Sequence, residues 1–430
     1  MKKQKDDTSF LAKVILFFRR VKEKLSELKP IKRITQRQRT LSAYSGKRGS
    51  EESKIAYGFG MAKVISIIVL TSLLIITVLF GSGVFSYEKM YYMFKDISYI
   101  KSFNEDAPVS LNYSKPVQNQ VFGNFKNGLL VASDSELKFF TSTGRVTLTE
   151  GSEFVNPHIC TSNGYALIYD QGRKSFSVYN SFVKLYSERT NYPVALADMA
   201  ENGSFLIVTT SSKYTSVVKI YDSNFKPIGE YSKNERVISA SLSDNGRYAA
   251  VLSLYVANGV SRITLNILDC NKSEVVSNTV IYGRMPYTCS FLSNDRIAVF
   301  LDDRVSVLDK RCNTISEYIY PSSAEKIDIG DGKFAILFSK NSVDDKKKIE
   351  VFDENGAKTF SKQVSGSISD IGVSDGYVYL LKTGEVVRIS TSLGTESSKS
   401  IYIDNSRLVT FKDGQILVCS QTSGSYISFD

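Results

Sequence analysis

Residues 243–251 read SDNGRYAAV and residues 265–269 read LNILD. The first run is a tight-turn signal, because Gly246 accepts positive φ without strain and Asn245 tolerates it better than most residues. The second alternates side chains with the period of a strand. The same pair recurs along the chain. Turns built on Asn-Gly, Asp-Gly or Asn-Asp place their second residue at Gly128, Gly164, Gly203, Gly246, Asp295, Gly332, Gly376 and Gly414. Each is followed by a strand of one shape: LKFFT ending at Thr141, FSVYN at Asn180, VKIYD at Asp222, LNILD at Asp269, VSVLD at Asp309, IEVFD at Asp353, VRIST at Thr391 and YISFD at Asp430.

From Thr141 to Asp430 the seven steps average about 41 residues, the length of a four-stranded propeller blade. One four-stranded sheet cannot bury both its faces, so such units pack face to face around a ring. The expected fold is therefore all-β, an eight-bladed β-propeller over residues 105–430, with seven blades and one degenerate repeat as the alternative. Blade length varies mainly at hairpin tips such as Asn341–Lys348, NSVDDKKK. The eighth repeat stops at its third strand. Its missing outer strand is expected from Pro108–Ser114, PVSLNYS, which would close the ring with strands from both ends and cover an open edge.

Ahead of the repeats, Val64–Phe85 reads VISIIVLTSLLIITVLFGSGVF, without a charged side chain. As a helix it reaches about 33 Å, enough to cross a hydrocarbon core of about 30 Å. Residues 61–85 are thus expected to be a transmembrane signal anchor and 86–104 a stalk, with Tyr87, Tyr91, Tyr92 and Tyr99 suited to an interfacial belt. A cleaved signal peptide, cut near Gly81–Gly83, is the rival reading; its positive region would be unusually long.

The chain carries 54 Lys+Arg against 44 Asp+Glu. The whole excess lies in residues 1–60, so the repeat domain is neutral and gives no reason to expect specific nucleic-acid binding. A basic segment before a single span stays in the cytoplasm, which puts the repeats outside the membrane. Residues 9–29 set Phe10, Val14, Phe17, Val21, Leu25 and Leu28 at helical spacing. This basic amphipathic helix suits contact with anionic lipid. Residues 31–54 lack an apolar period and read as a linker, with Thr40 after Arg37 and Arg39 a weak phosphorylation signal.

Chemistry is sparse. The five cysteines, Cys160, Cys270, Cys289, Cys312 and Cys419, show no metal-ligand spacing. Cys270 and Cys312 follow equivalent strands and are the best-placed disulfide pair, although free thiols are the expected state. The single histidine, His158, beside Pro157 in an expected inner strand, leaves nothing from which to build a triad except itself. Asp328, Asp331 and Gly332 in IDIGDGK hint at calcium, yet the spacing of a calcium loop is missing and an Asp-Gly turn explains them. No catalytic, cofactor-binding or metal residue is assigned, and no cofactor is expected.

The SDNGRYAAV run followed by LNILD resembles the blade rhythm of bacterial extracytoplasmic propellers of the WD-repeat-like and quinoprotein-like kinds. The chain contains no tryptophan, so it departs from the Trp-Asp dipeptide of the one and the Trp-docking motifs of the other. Basic tail, single span and Trp-free repeats together look like the uncharacterised single-pass propeller proteins of clostridia and related Firmicutes, a resemblance that implies a fold and no activity.

These readings lead to the expectation of a non-enzymatic, membrane-tethered binding or scaffold module for an envelope protein, peptide or ligand, with the central channel as the default site. A channel-centred enzyme and a single-pass sensor reporting to the basic tail are the alternatives.

Overall fold

The structure is a computed structural model describing residues 110–112, 119–126, 128–141, 144–282, 284–339, 346–401, 407–411 and 414–429, together with Lys63, Ser66, Ile67, Leu70 and Thr71. The chain divides into two units, Met1–Lys89 and Met90–Asp430. In the first, the five described residues are helical, and Thr71 Oγ1 donates to the Ile67 carbonyl at 2.8 Å. Ile67 and Leu70 are 60% and 69% exposed. Among the described residues no helix is long and apolar enough to cross a membrane. The basic segment, the amphipathic helix expected over 9–29, the stalk and all but four residues of the 64–85 stretch lie outside them.

In the second unit the described strands, numbered β1 to β32 along the chain, form eight antiparallel four-stranded sheets. Seven are consecutive in sequence: blades 1 to 7 cover 121–151, 157–189, 194–233, 236–282, 286–319, 324–364 and 368–400. The eighth takes three strands from 407–427 and its outer strand from β1 (Ser110–Asn112), which pairs with β32 (Ser423–Ile427), Leu111 opposite Gly424. The borrowed strand falls within the run expected to close the ring, and the seven-bladed alternative is excluded. All eight sequence-identified strands occupy the third position of their sheets.

The buried side chains explain the ring. The second strand of each blade is buried almost throughout, as in Phe205–Thr209 of blade 3, because it has a sheet on either side. Its alternation divides it: Phe205 and Ile207 join an apolar cluster with blade 2, while Leu206 and Val208 join one with blade 4. Eight such clusters occupy the eight blade boundaries. The closing one joins Leu111, Val409, Leu417 and Tyr426 of blade 8 to Leu129, Val131 and Phe140 of blade 1. In this Trp-free chain stacked aromatic pairs between paired strands supply bulk: Phe205 on Tyr221 at 4.5 Å, and Phe334 on Phe352 at 4.9 Å.

The turns behave less uniformly than the sequence suggested. Gly203, Gly246, Gly332, Gly376 and Gly414 have positive φ. Gly164 and Asp295 do not, and in blade 1 Lys126 takes the left-handed position instead. Gly128 lies inside a strand, where a Cβ would sit 2.0 Å from the Phe140 carbonyl oxygen. Glycine is needed there for close approach rather than for φ.

Candidate functional site

Every blade sends its first strand toward the ring's axis, and every turn from first to second strand therefore lies at one end of the ring. At that end a cavity of about 550 Å³ opens in the central channel. All eight blades line it: Asn124, Thr161, Glu201, Asp244 and Ser290 of blades 1 to 5, Asp331 of blade 6, Ser374 of blade 7 and Thr410 of blade 8 are among its walls. Three of these side chains are carboxylates, and among the described residues that line the cavity none is Lys or Arg. The described walls of the cavity thus carry carboxylates from blades 3, 4 and 6.

The inner strands leave backbone groups on the channel side without a strand to pair with, and side chains of the preceding blade take them. Asp198 accepts Leu242 N–H at 2.7 Å, Ser241 accepts Phe291 N–H at 3.1 Å, and Asp328 accepts Val373 N–H at 2.7 Å. These three occupy one register position, each opposite the same place in its second strand. Two residues earlier on the same face, Ser239 accepts Cys289 N–H at 3.1 Å and Asp370 accepts Leu408 N–H at 3.0 Å. Asn124 joins three blades, donating to the Thr410 carbonyl at 2.8 Å and accepting from Thr161 Oγ1 at 3.4 Å. Such clasps satisfy groups that would otherwise cost about 1–3 kcal/mol each.

Burial pushes the Asp198 and Asp328 carboxyls up to about 6, against the bonds from Leu242 and Val373 N–H that favour the ionised forms; the charge of Asp370 adds to the rise at Asp328. The residues of the IDIGDGK run serve the same kind of contact. Asp328 holds its neighbour's backbone, and Asp331 accepts from Ser374 Oγ at 3.1 Å and Asp375 N–H at 3.3 Å, with Gly332 in the turn. Among the described residues no group of three or more His, Cys, Asp or Glu side chains is arranged to hold a metal ion.

His158 does lie in an inner strand, Pro157–Thr161, but at the end away from the turns, stacked on Tyr169 at 5.3 Å. Desolvation lowers its pKa, against the effects of Gln171 and Asp170. All five cysteines are free. Cys270 and Cys312 do not pair because they pack into different clusters, Cys270 between blades 3 and 4 and Cys312 between blades 4 and 5. Burial raises the thiols of Cys160, Cys270, Cys289 and Cys312, Cys270 and Cys289 up to about 12, away from the range of a nucleophile. Sequence reasoning missed Asp198, Ser241, Glu201 and Asp244. Their spacing ahead of each turn was available, five residues before Gly203 and Gly246 for Asp198 and Ser241, but its meaning needed the register between blades.

Among solved structures the chain is similar to BamB from Moraxella catarrhalis, with a TM-score of 0.52 and 13% identity over 75% of this chain and 99% of that one. It is also similar to the Swd1 β-propeller domain of Myceliophteria thermophila Cps50, with a TM-score of 0.45 and 12% identity over 68% and 100% of the two chains. Hydrazine synthase of Kuenenia stuttgartiensis gives a TM-score of 0.45 and 9% identity over 70% and 100%. At these identities the likeness is one of fold. No curated protein matches the chain. A family match covers residues 103–425, and the chain belongs to the family of unknown function DUF5711.

Proposed function

We propose that this protein is a membrane-tethered, extracytoplasmic binding module whose acid-lined channel mouth takes a cationic segment of an envelope protein. The observation that carries the reading is the cavity itself: eight blades converge on about 550 Å³ with carboxylates Glu201, Asp244 and Asp331 on its walls and no basic side chain among the described residues that line it. A lysine or arginine entering it finds opposite charge in a partly desolvated setting, with hydroxyls of Ser290, Ser374 and Thr410 and the Asn124 amide for orientation. The tether is supported by the uncharged 64–85 stretch and by exposed, helical Ile67 and Leu70. A non-catalytic role is supported by the position of His158 and by the raised thiols, none of which lines the mouth.

The test is fluorescence anisotropy of a labelled Lys/Arg-rich peptide with the purified full chain in detergent. Saturable binding that weakens with salt and is lost in the triple variant Glu201→Gln, Asp244→Asn, Asp331→Asn is expected. Binding equal in wild type and triple variant, or turnover of a substrate dependent on these residues, overturns the reading. Protease added to intact cells should remove the propeller and spare the N-terminal segment; the reverse pattern contradicts the topology.

A further inference from the structure

Outer strands of a propeller leave one edge open, and this chain guards its edges with charge. The outer strands of blades 1, 2, 3, 5, 6 and 7 carry Glu150, Glu188 with Arg189, Glu230 with Lys233, Glu317, Lys362, and Glu396 with Lys399. Blade 8 ends in a strand of three residues, β1. Blade 4 differs in where its charge sits: Glu274 stands at the very start of the strand. Its outer strand β17 (Glu274–Tyr282) is nine residues long, and after an irregularity at Val276 it runs as Ser277-Asn278-Thr279-Val280-Ile281-Tyr282 without a charge. β17 is last in its sheet, so its outer backbone edge has no strand beside it. Val280 is 40% exposed and Tyr282 65%. The strand is held firmly from behind. It pairs along its length with the ten-residue strand β16 (Val260–Asp269). The Arg262 guanidinium of that strand bonds Glu235 at 2.7 Å and covers the Tyr255 ring.

We infer that β17 is the interface of a two-fold dimer, pairing antiparallel with β17 of a second copy about an axis through Val280. Directly opposed residues share a face in an antiparallel pair, so an axis at Val280 sets Val280 against itself, Thr279 against Ile281, and Asn278 against Tyr282. Each of these pairs is uncharged, and all the residues but Asn278 are good strand formers. A second copy is the occupant because the segment is its own complement in polarity and in pairing. The twist of about 20–25° per strand accumulates to roughly 60–75° between inner and outer strands. The sheet normal at β17 then leans toward the ring axis, which leaves two rings side by side with the same end up. That arrangement suits two copies standing on one surface and would place their N-terminal segments in one complex.

The test uses the full chain. With Val280→Cys in membranes of expressing cells, a mild oxidant should give a covalent dimer that wild type, with its buried and half-buried thiols, does not give. Light scattering of the purified wild type should return twice the 47.9 kDa chain mass for the protein component. Val280→Lys, which sets two ammonium groups face to face across the axis, should run as a monomer with the thermal unfolding of wild type. A monomeric wild type overturns the proposal, including one in which β17 pairs with a strand of another protein. An uncross-linked Val280→Cys, or a Val280→Lys chain that remains dimeric, does so too. Should Val280→Lys fail to fold, the cysteine cross-link decides.

Discussion

The carboxylate of Asp328 in blade 6 accepts the backbone N–H of Val373 in blade 7 at 2.7 Å, and burial holds that carboxyl up at about 6 rather than near its ordinary 3.8. A raised acid favours the protonated form in the folded state. Its contribution is complete below about 3.8 and is lost as pH rises through about 6. Asp198 at the blade 3–4 boundary behaves alike. The ring should therefore gain stability as pH falls from 7.5 to 5. Asp328→Asn keeps an acceptor without a charge and should stabilise the chain at pH 7.5 by on the order of 1–2 kcal/mol, less than the full shift because channel water reaches the group. Urea unfolding at pH 5 and 7.5 checks both; equal stability at the two pH values in wild type would remove the effect.

A contribution of opposite sign lies at lower pH. Burial alone would raise Glu235, but bonds from Lys233, Ser253 and Arg262 hold it at about 2. Its share of stability is present above its ordinary value near 4.5 and is lost as pH falls toward 2. Glu235→Gln should therefore weaken the chain at pH 6 and matter progressively less in acid, read from the same unfolding curves.

Two glycines separate close approach from conformation. A Cβ at Gly330 would sit 2.6 Å from the Val373 carbonyl oxygen, backbone that cannot step aside, whereas at Gly376, with φ of 75°, a Cβ meets nothing within 4 Å. Gly330→Ala should cost about 2–3 kcal/mol and Gly376→Ala about 1 kcal/mol, measured by thermal unfolding. The reverse order would mean that the inner strands are not packed as described.

Closure depends on one short strand. Leu111 is 1% exposed and fills the cluster between blades 8 and 1. Leu111→Ala should destabilise the chain by about 2–4 kcal/mol, in contrast to an exposed position such as Leu393→Ala, whose effect should be within about 0.5 kcal/mol.

Much of this fold is written locally. A strand's period and an Asn-Gly turn need only adjacent residues, so eight third strands could be counted, and the strand missing after Tyr426 pointed back to Leu111. What the sequence left hidden depends on register between units far apart in the chain. That Asp328 holds Val373, that Cys270 and Cys312 face different boundaries, and that Glu201, Asp244 and Asp331 meet at one mouth follow only once the ring is closed. The Asn-Gly signal also over-reached at Gly128 and Gly164, where a turn pattern and a positive φ part company.

The mouth is most directly tested by photo-cross-linking in cells from Asn245, an exposed turn residue beside Asp244. One dominant protein partner is expected, captured by wild type and by Asp134→Asn, whose substitution lies in an exposed turn between second and third strands at the far end of the ring, and lost when Glu201, Asp244 and Asp331 are neutralised together. A partner captured equally well after that neutralisation, or no protein captured at all, would contradict the account.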